Sequence, residues 1–150
     1  MKIGELATRT GCRVVTIRYY EREGVLPEPA RSEANYRLYS EAHVERLSFI
    51  RHCRALDMTL DEIRALLACH DHPEGACHRA DALVDEHLQH VEARIEQLQT
   101  LKASLEALKG RCQGQRPVAK CGILSALAQP PQAEHAADAA DHVAGTHPRF

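Results

Sequence analysis

The 150-residue chain contains no tryptophan, only two phenylalanines and only four tyrosines. With so few rings, the core is expected to be built mostly of Leu, Ile, Val and Ala. No apolar run is long enough to span a bilayer, and no N-terminal stretch resembles a secretory signal. A cytoplasmic chain with no membrane partner is therefore expected. In that compartment the six cysteines read as thiols or metal ligands and not as disulfides. No H-E-x-x-H or comparable pattern places a water and a base beside a metal, which counts against a zinc-dependent hydrolase despite ten histidines. A strong charge of one sign is lacking too: the net charge is −2. That value hides an asymmetry. Residues 1–57 carry 10 Lys+Arg against 8 Asp+Glu, and residues 58–150 carry 9 against 13. Arginine supplies most of the basic side (Arg9, Arg13, Arg18, Arg22, Arg31, Arg37, Arg46, Arg51, Arg54), which permits a nucleic-acid partner for the first third without requiring one.

What is present begins with two short helical patterns. Residues 3–10 place Ile3, Leu6 and Ala7 at helical spacing and Gly11 stops the run. Residues 13–24 form a second helix, closed by Gly24. Two short helices about a glycine-containing turn suggest a helix-turn-helix. With Ile17 at the centre of the buried face, 100° per residue puts Arg13 and Tyr20 near it. Val15, Tyr19 and Arg22 then fall on the opposite face, flanked by Thr16 and Arg18. Arg, Tyr and Thr on an exposed face suit phosphate and base-edge contact; a solvated surface helix is the plainer alternative. Leu26-Pro27-Glu28-Pro29 ends this helix, and residues 30–39 alternate about a turn at Glu33-Ala34-Asn35, predicting a short β-hairpin or wing. Candidates for DNA contact are Val15, Thr16, Arg18, Tyr19 and Tyr20 on the helix and Arg31, Asn35, Tyr36 and Arg37 on the wing. Ser40 caps a helix through about residue 56, and Thr59-Leu60-Asp61-Glu62 is a capping box that opens another, to about residue 69.

Residues 70–78 are a loop with Pro73 and Gly75, and a long helix is expected over 79–110. Its apolar positions Val84, Leu88, Val91, Ile95, Leu98, Leu101, Leu105 and Leu108 are close to a heptad seam with one irregular step. A lone helix of this kind needs a partner. Cys77 precedes the helix; Cys112 and Cys121 follow it. The helix ends lie on the order of 45 Å apart at 1.5 Å per residue, so Cys77 cannot share a metal with Cys112 and Cys121 of its own chain. If two such helices pair antiparallel, Cys77 of one chain meets Cys112 and Cys121 of the other. Three thiolates then converge, twice per dimer, as ligands for a soft or borderline ion. His87 and His90 share one helix face. With His135, His142 and His147 of the tail, and oxygens from Asp61 or Glu62, they form a candidate second site for a divalent ion. Surface histidines on a solvated tail are the alternative.

At residues 16–63 the run TIRYYEREGVLPEPARSEANYRLYSEAHVERLSFIRHCRALDMTLDEI resembles the N-terminal domain of the MerR family of transcription regulators, with the likeness covering roughly residues 1–70. A cysteine before the dimer helix and a C-x8-C pair after it resemble the metal-sensing members. In those, cysteine at the Cys77 position is characteristic of divalent-ion sensors, whereas sensors of monovalent copper or gold typically have serine. HVEARIEQL in the long helix and CGIL after it look most like the cadmium- and lead-responsive branch, with the zinc- and mercury-responsive branches close by. The redox-sensing members carry a four-cysteine cluster near the C-terminus; only two cysteines occur there in this chain.

The resemblance implies a mainly α fold: a winged helix-turn-helix over 1–70, a linker loop over 71–78 that carries a metal ligand, an antiparallel coiled-coil dimerisation helix over 79–110, a metal-binding loop and short helix over 111–128, and a histidine-containing tail over 129–150 expected not to fold. It implies a homodimer on double-stranded promoter DNA that acts with RNA polymerase. The expected effector is Cd(II) or Pb(II), bound by Cys77, Cys112 and Cys121, with Zn(II) or Hg(II) as alternatives. Three thiolates without histidine favour the softer ions over Zn(II), whose sites commonly fill four positions. A multidrug sensor would need a ligand-binding domain after the dimer helix, and too few residues remain. A metal-buffering coiled coil would have no use for a helix-turn-helix. Cys12 and Cys53 are expected to be packing residues, and Cys69 a structural or solvent-facing one.

Overall fold

The computed structural model describes residues 1–131. They form two compact units that divide within one long helix, after His87. The N-terminal unit holds α1 (Ile3–Thr10), α2 (Val14–Arg22), β1 (Ala30–Arg31), β2 (Arg37–Leu38), α3 (Glu41–Ala55) and α4 (Leu60–His70). The long helix is α5 (His78–Lys109); a 3-10 turn (Val118–Lys120) and α6 (Gly122–Leu127) follow it. No helix among the described residues is long and apolar enough to cross a membrane.

Local chemistry explains the element ends. Gly11 takes a left-handed φ of 64° after α1, where a side chain would be strained. In the α4 capping box, Glu62 N–H donates to Thr59 Oγ1 (3.2 Å) and Thr59 N–H donates to Glu62 Oε1 (3.1 Å). The wing is a two-stranded antiparallel ribbon with Ala30 opposite Leu38 and Arg31 opposite Arg37. Asn35 turns its tip at φ 62°, a conformation asparagine tolerates. Asn35 N–H donates to Ser32 O, and Ser32 N–H to Tyr36 O, both at 2.8 Å.

The core of the N-terminal unit is formed by Leu6, Ile17, Val25, Leu26, Leu47, Ile50, Ile63 and Leu67, with Tyr20, Tyr39 and Met58 also buried. No alanine belongs to it; the two tyrosines take that volume instead. A tyrosine ring can fill a core when its hydroxyl finds a partner. Tyr39 Oη donates to Glu21 Oε1 at 2.5 Å, and burial together with that carboxylate pushes the phenol pKa well up. Tyr39 also pairs with the chain start, its N–H donating to Met1 O and the Met1 ammonium donating to its carbonyl, each at 2.8 Å.

Arginines do much of the cross-linking. Arg9 grips Glu41, Arg46 donates to Val25 O (2.8 Å) and Asp71 Oδ1 (2.7 Å), Arg51 donates to Thr10 O, and Arg54 donates to Met58 O (3.1 Å). Much of the basic excess of this unit is therefore spent inside the fold.

Helix α5 contrasts with the rest. None of its residues is buried, and Val84, Leu88, Val91, Ile95, Leu98, Leu101 and Leu105 are each 38–57% exposed.

Cys12 and Cys53 sit in the core, and burial pushes both thiols up from their usual pKa. The thiolate is the reactive form, so both should resist iodoacetamide at neutral pH in the native protein. Exposed Cys77 and Cys112 should label first. Peptide mass spectrometry of a labelling time course checks this, and early labelling of Cys12 or Cys53 would contradict the packing.

Candidate DNA-binding face and metal ligands

The exposed side of α2 carries Val15 (68% exposed), Arg18 and Arg22, with Tyr19 half-buried beneath the Arg22 guanidinium, 5.7 Å from its ring centroid. Thr16 and Tyr20 do not belong to this face. They are 3% and 2% exposed and point into the core, which corrects the expectation that they contact DNA. The physical reason is angular: Thr16, Ile17 and Tyr20 are buried together, so the buried arc is centred between them and not on Ile17. The opposite arc then falls on Val15, Arg18 and Arg22.

The wing presents Tyr36 (63% exposed), with the Lys2 ammonium 5.6 Å from its ring centroid. Arg31 donates to Asn35 Oδ1 at 3.1 Å, so these two DNA candidates brace one another across the turn. Arg37 lies 3.7 Å from Glu21 Oε2, the same carboxylate that accepts the Tyr39 hydroxyl. Glu21 thus ties the wing to α2. Sequence reasoning missed this residue, because a glutamate at that position looks like one more solvated charge.

The cysteines divide by environment. Cys12 and Cys53 are buried, Cys69 and Cys121 are half-buried, and Cys77 and Cys112 are exposed. Cys77 lies with Phe49, Leu66, Cys69, His70 and Ala80 around an open, largely apolar cleft of about 670 Å³. Cys112 follows the end of α5, its N–H donating to Lys109 O at 3.1 Å. Cys121 immediately precedes α6. Between them the chain turns at Gly114 and passes through the 3-10 turn.

Part of the expected second site also lies in the N-terminal unit. His87 Nδ1 is 2.6 Å from Glu62 Oε2, close enough for an ion pair but off the line a hydrogen bond requires. His87 Nε2 lies 2.8 Å from Leu56 O. A proton on Nε2 would be donated to that carbonyl, which would leave Nδ1 unprotonated beside the carboxylate, as in a metal-ligating histidine oriented by a backbone acceptor. Burial alone would raise the Glu62 pKa, but the Thr59 hydrogen bonds and the facing imidazole outweigh it, so the carboxyl lies below its usual range. His90 follows one turn later on α5. Asp61 turns elsewhere: it is held by Arg64 at 2.8 Å with its side chain 93% exposed. His135, His142 and His147 lie outside the described residues.

Comparison with known proteins gives a consistent result. The family model described as MerR HTH family regulatory protein matches residues 1–69, and that described as MerR, DNA binding matches residues 44–108. The HTH-type transcriptional regulator ZntR of Escherichia coli K12 is 42% identical over 130 residues, covering 85% of this chain and 92% of ZntR. The transcription regulator PbrR691 from Ralstonia metallidurans CH34, solved in complex with lead(II), aligns with a TM-score of 0.79 at 52% identity, covering 85% of this chain and 98% of that one. The dual-function transcriptional regulator MerR from Bacillus megaterium MB1, solved with mercury(II), aligns with a TM-score of 0.69 at 33% identity over 86% and 100% of the two chains. These relatives are regulators, not enzymes, and their likeness runs through the helix-turn-helix, the wing and the long helix. The chain belongs to the MerR family of helix-turn-helix regulatory proteins.

Proposed function

We propose that this chain is a homodimeric, metal-responsive transcription regulator in the cytoplasm. It takes Cd(II) or Pb(II) into sites built by Cys77 of one protomer with Cys112 and Cys121 of the partner subunit. The observation that carries this reading is the open apolar seam of α5, with a cysteine at one end and a cysteine pair beyond the other. A helix of 32 residues is about 48 Å long, so only an antiparallel copy can bring both ends together. The lead(II) complex of PbrR691 supports the choice of ion. Hg(II) and Zn(II) remain the second reading, supported by the mercury(II) complex of MerR and by the likeness to ZntR.

On DNA, α2 and the wing would grip the promoter through Val15, Arg18, Tyr19, Arg31, Asn35, Tyr36 and Arg37. Metal would favour one of two dimer states and so distort the promoter for RNA polymerase, a case of readout through DNA deformability. The regulated promoter would be that of a metal-resistance efflux system. His87, Glu62 and His90 are proposed as a second, weaker divalent site that the tail residues His135, His142 and His147 complete.

Mixing a Cys77→Ser chain with a Cys112→Ser chain tests the shared site. Each heterodimer should regain one intact three-thiolate site, so one soft metal per mixed dimer is expected where either homodimer binds none through three thiolates. A mixed dimer without thiolate-bound Cd(II), when the wild type has it, would remove the cross-chain arrangement.

Operator titrations at matched salt test the DNA face. Arg18→Ala should cost about 1–3 kcal/mol if the guanidinium reads a base, and should weaken all sequences alike if it grips phosphate. Arg37→Ala should also weaken binding. Unchanged affinity in both variants would take α2 and the wing out of the interface.

Truncation after Leu127 separates the two metal sites. Thiolates hold soft ions more tightly than exposed imidazoles do, and a tail must lose chain entropy to reach a helix. Reporter induction by Cd(II) or Pb(II) should survive truncation while the metal bound per dimer falls. Equal stoichiometry would leave the histidines as solvated side chains, and lost induction would make the tail part of the switch.

A further inference from the structure

Gly122 stands where a helix former would be expected. It is the first residue of α6, and glycine is a poor helix former. Its backbone does not explain it. Gly11, Gly24 and Gly114 have positive φ angles, and Gly122 does not. The reason is space. A Cβ built on Gly122 would collide with Arg111 O and lie 3.2 Å from Arg111 C and 3.3 Å from Arg111 Cβ. The nearest two are backbone atoms, which cannot swing aside as a long side chain would. Gly110, nearby in sequence, differs: there an added Cβ would meet Ala107 O at 3.4 Å, an ordinary contact.

The place of this contact matters. Arg111 precedes Cys112 and Gly122 follows Cys121, so each cysteine is one peptide unit, about 3.8 Å of chain, from the point where the two segments touch. The C-x8-C loop is therefore closed at its base by backbone on backbone. The chain bends at Gly114, and the close approach at Gly122 shuts the loop.

We infer that Gly122 is a positioning residue for the cysteine pair: its missing side chain lets the loop close and holds the Cys112 and Cys121 thiols together before any metal arrives. This rests on the proposed metal-sensing reading and deepens it. A preformed pair loses less chain entropy when it takes up an ion, so the closed loop should raise affinity without touching the metal. Gly122→Ala must push Arg111 and residue 122 apart and so spread the pair.

Two measurements on the full-length protein test this. The first needs no metal. In a Cys77→Ser background, the rate at which diamide oxidises Cys112 and Cys121 to an intramolecular disulfide reports how often the thiols meet. Mapped by peptide mass spectrometry, that rate should fall about tenfold or more in Gly122→Ala. The second is Cd(II) affinity by chelator competition in the protein with all six cysteines, which should fall about 10- to 100-fold, the range for residues that orient ligands. Gly110→Ala should match the parent protein in both, and operator affinity without metal should be the same in every variant. Disulfide formation and Cd(II) affinity unchanged in Gly122→Ala would overturn the inference. So would a fall in only one of them, an equal fall in Gly110→Ala, or loss of operator binding, which would make Gly122 a residue of the general fold. Failure of the wild-type protein to bind Cd(II) through its thiols would count against the metal-sensing reading, while the diamide comparison would still decide whether Gly122 places the pair.

Discussion

An exposed apolar seam on a long helix is the constraint on which the rest of this protein depends. Helix α5 buries none of its own residues, and its row of Val, Leu and Ile side chains is open to water along its length. Each such side chain stabilises a protein by roughly 1.5–3 kcal/mol when fully buried. A helix that forgoes this at so many positions is suited to an interface, and in the proposed dimer a second helix would complete it. The placement of cysteines before and after it then acquires a meaning that it would lack on a short helix or one packed within its own chain.

Within the N-terminal unit, charge serves geometry before it serves binding. Glu21 receives the Tyr39 hydroxyl and faces Arg37, so one carboxylate links α2 to the returning strand of the wing. Arg46 and Arg51 reach backbone carbonyls of other elements. Hydrogen bonds from charged groups to such acceptors are among the stronger ones available, and they make a small core hold several short elements in register. The net charge of this unit is thus a poor measure of its affinity for DNA. In the proposed reading, the cations left facing outward on α2 would be the relevant ones.

The thiols follow the same division between structure and chemistry. Burial keeps Cys12 and Cys53 protonated and inaccessible, and they fill space as small apolar side chains do. Cys77, Cys112 and Cys121 lie in or beside loops, outside that core. In the proposed reading, softness of the donor set, more than its charge, would separate a three-thiolate site from the imidazole and carboxylate of His87 and Glu62.

The elements of the N-terminal unit and the long helix were legible from local chemistry. Gly11, the Thr59 capping box, the turn at Asn35 and the seven-residue apolar rhythm each report conditions that act within a few residues, so spacing alone reveals them. The ends of the long helix shifted by one residue, and Asp61 turned to Arg64 instead of His87. The helical wheel already set Tyr20 near the buried face of α2, but the turn of that arc to take in Thr16 could not be read locally, because it depends on what packs against the helix. The double role of Glu21 and the contact between Gly122 and Arg111 join residues far apart in sequence or across a loop. Sequence by itself determined the elements, the seam and the placing of the cysteines about it. Only tertiary structure decided which arginines are free, which tyrosines are core and why residue 122 must lack a side chain, because those outcomes are set by contacts between elements and leave no periodic trace within them.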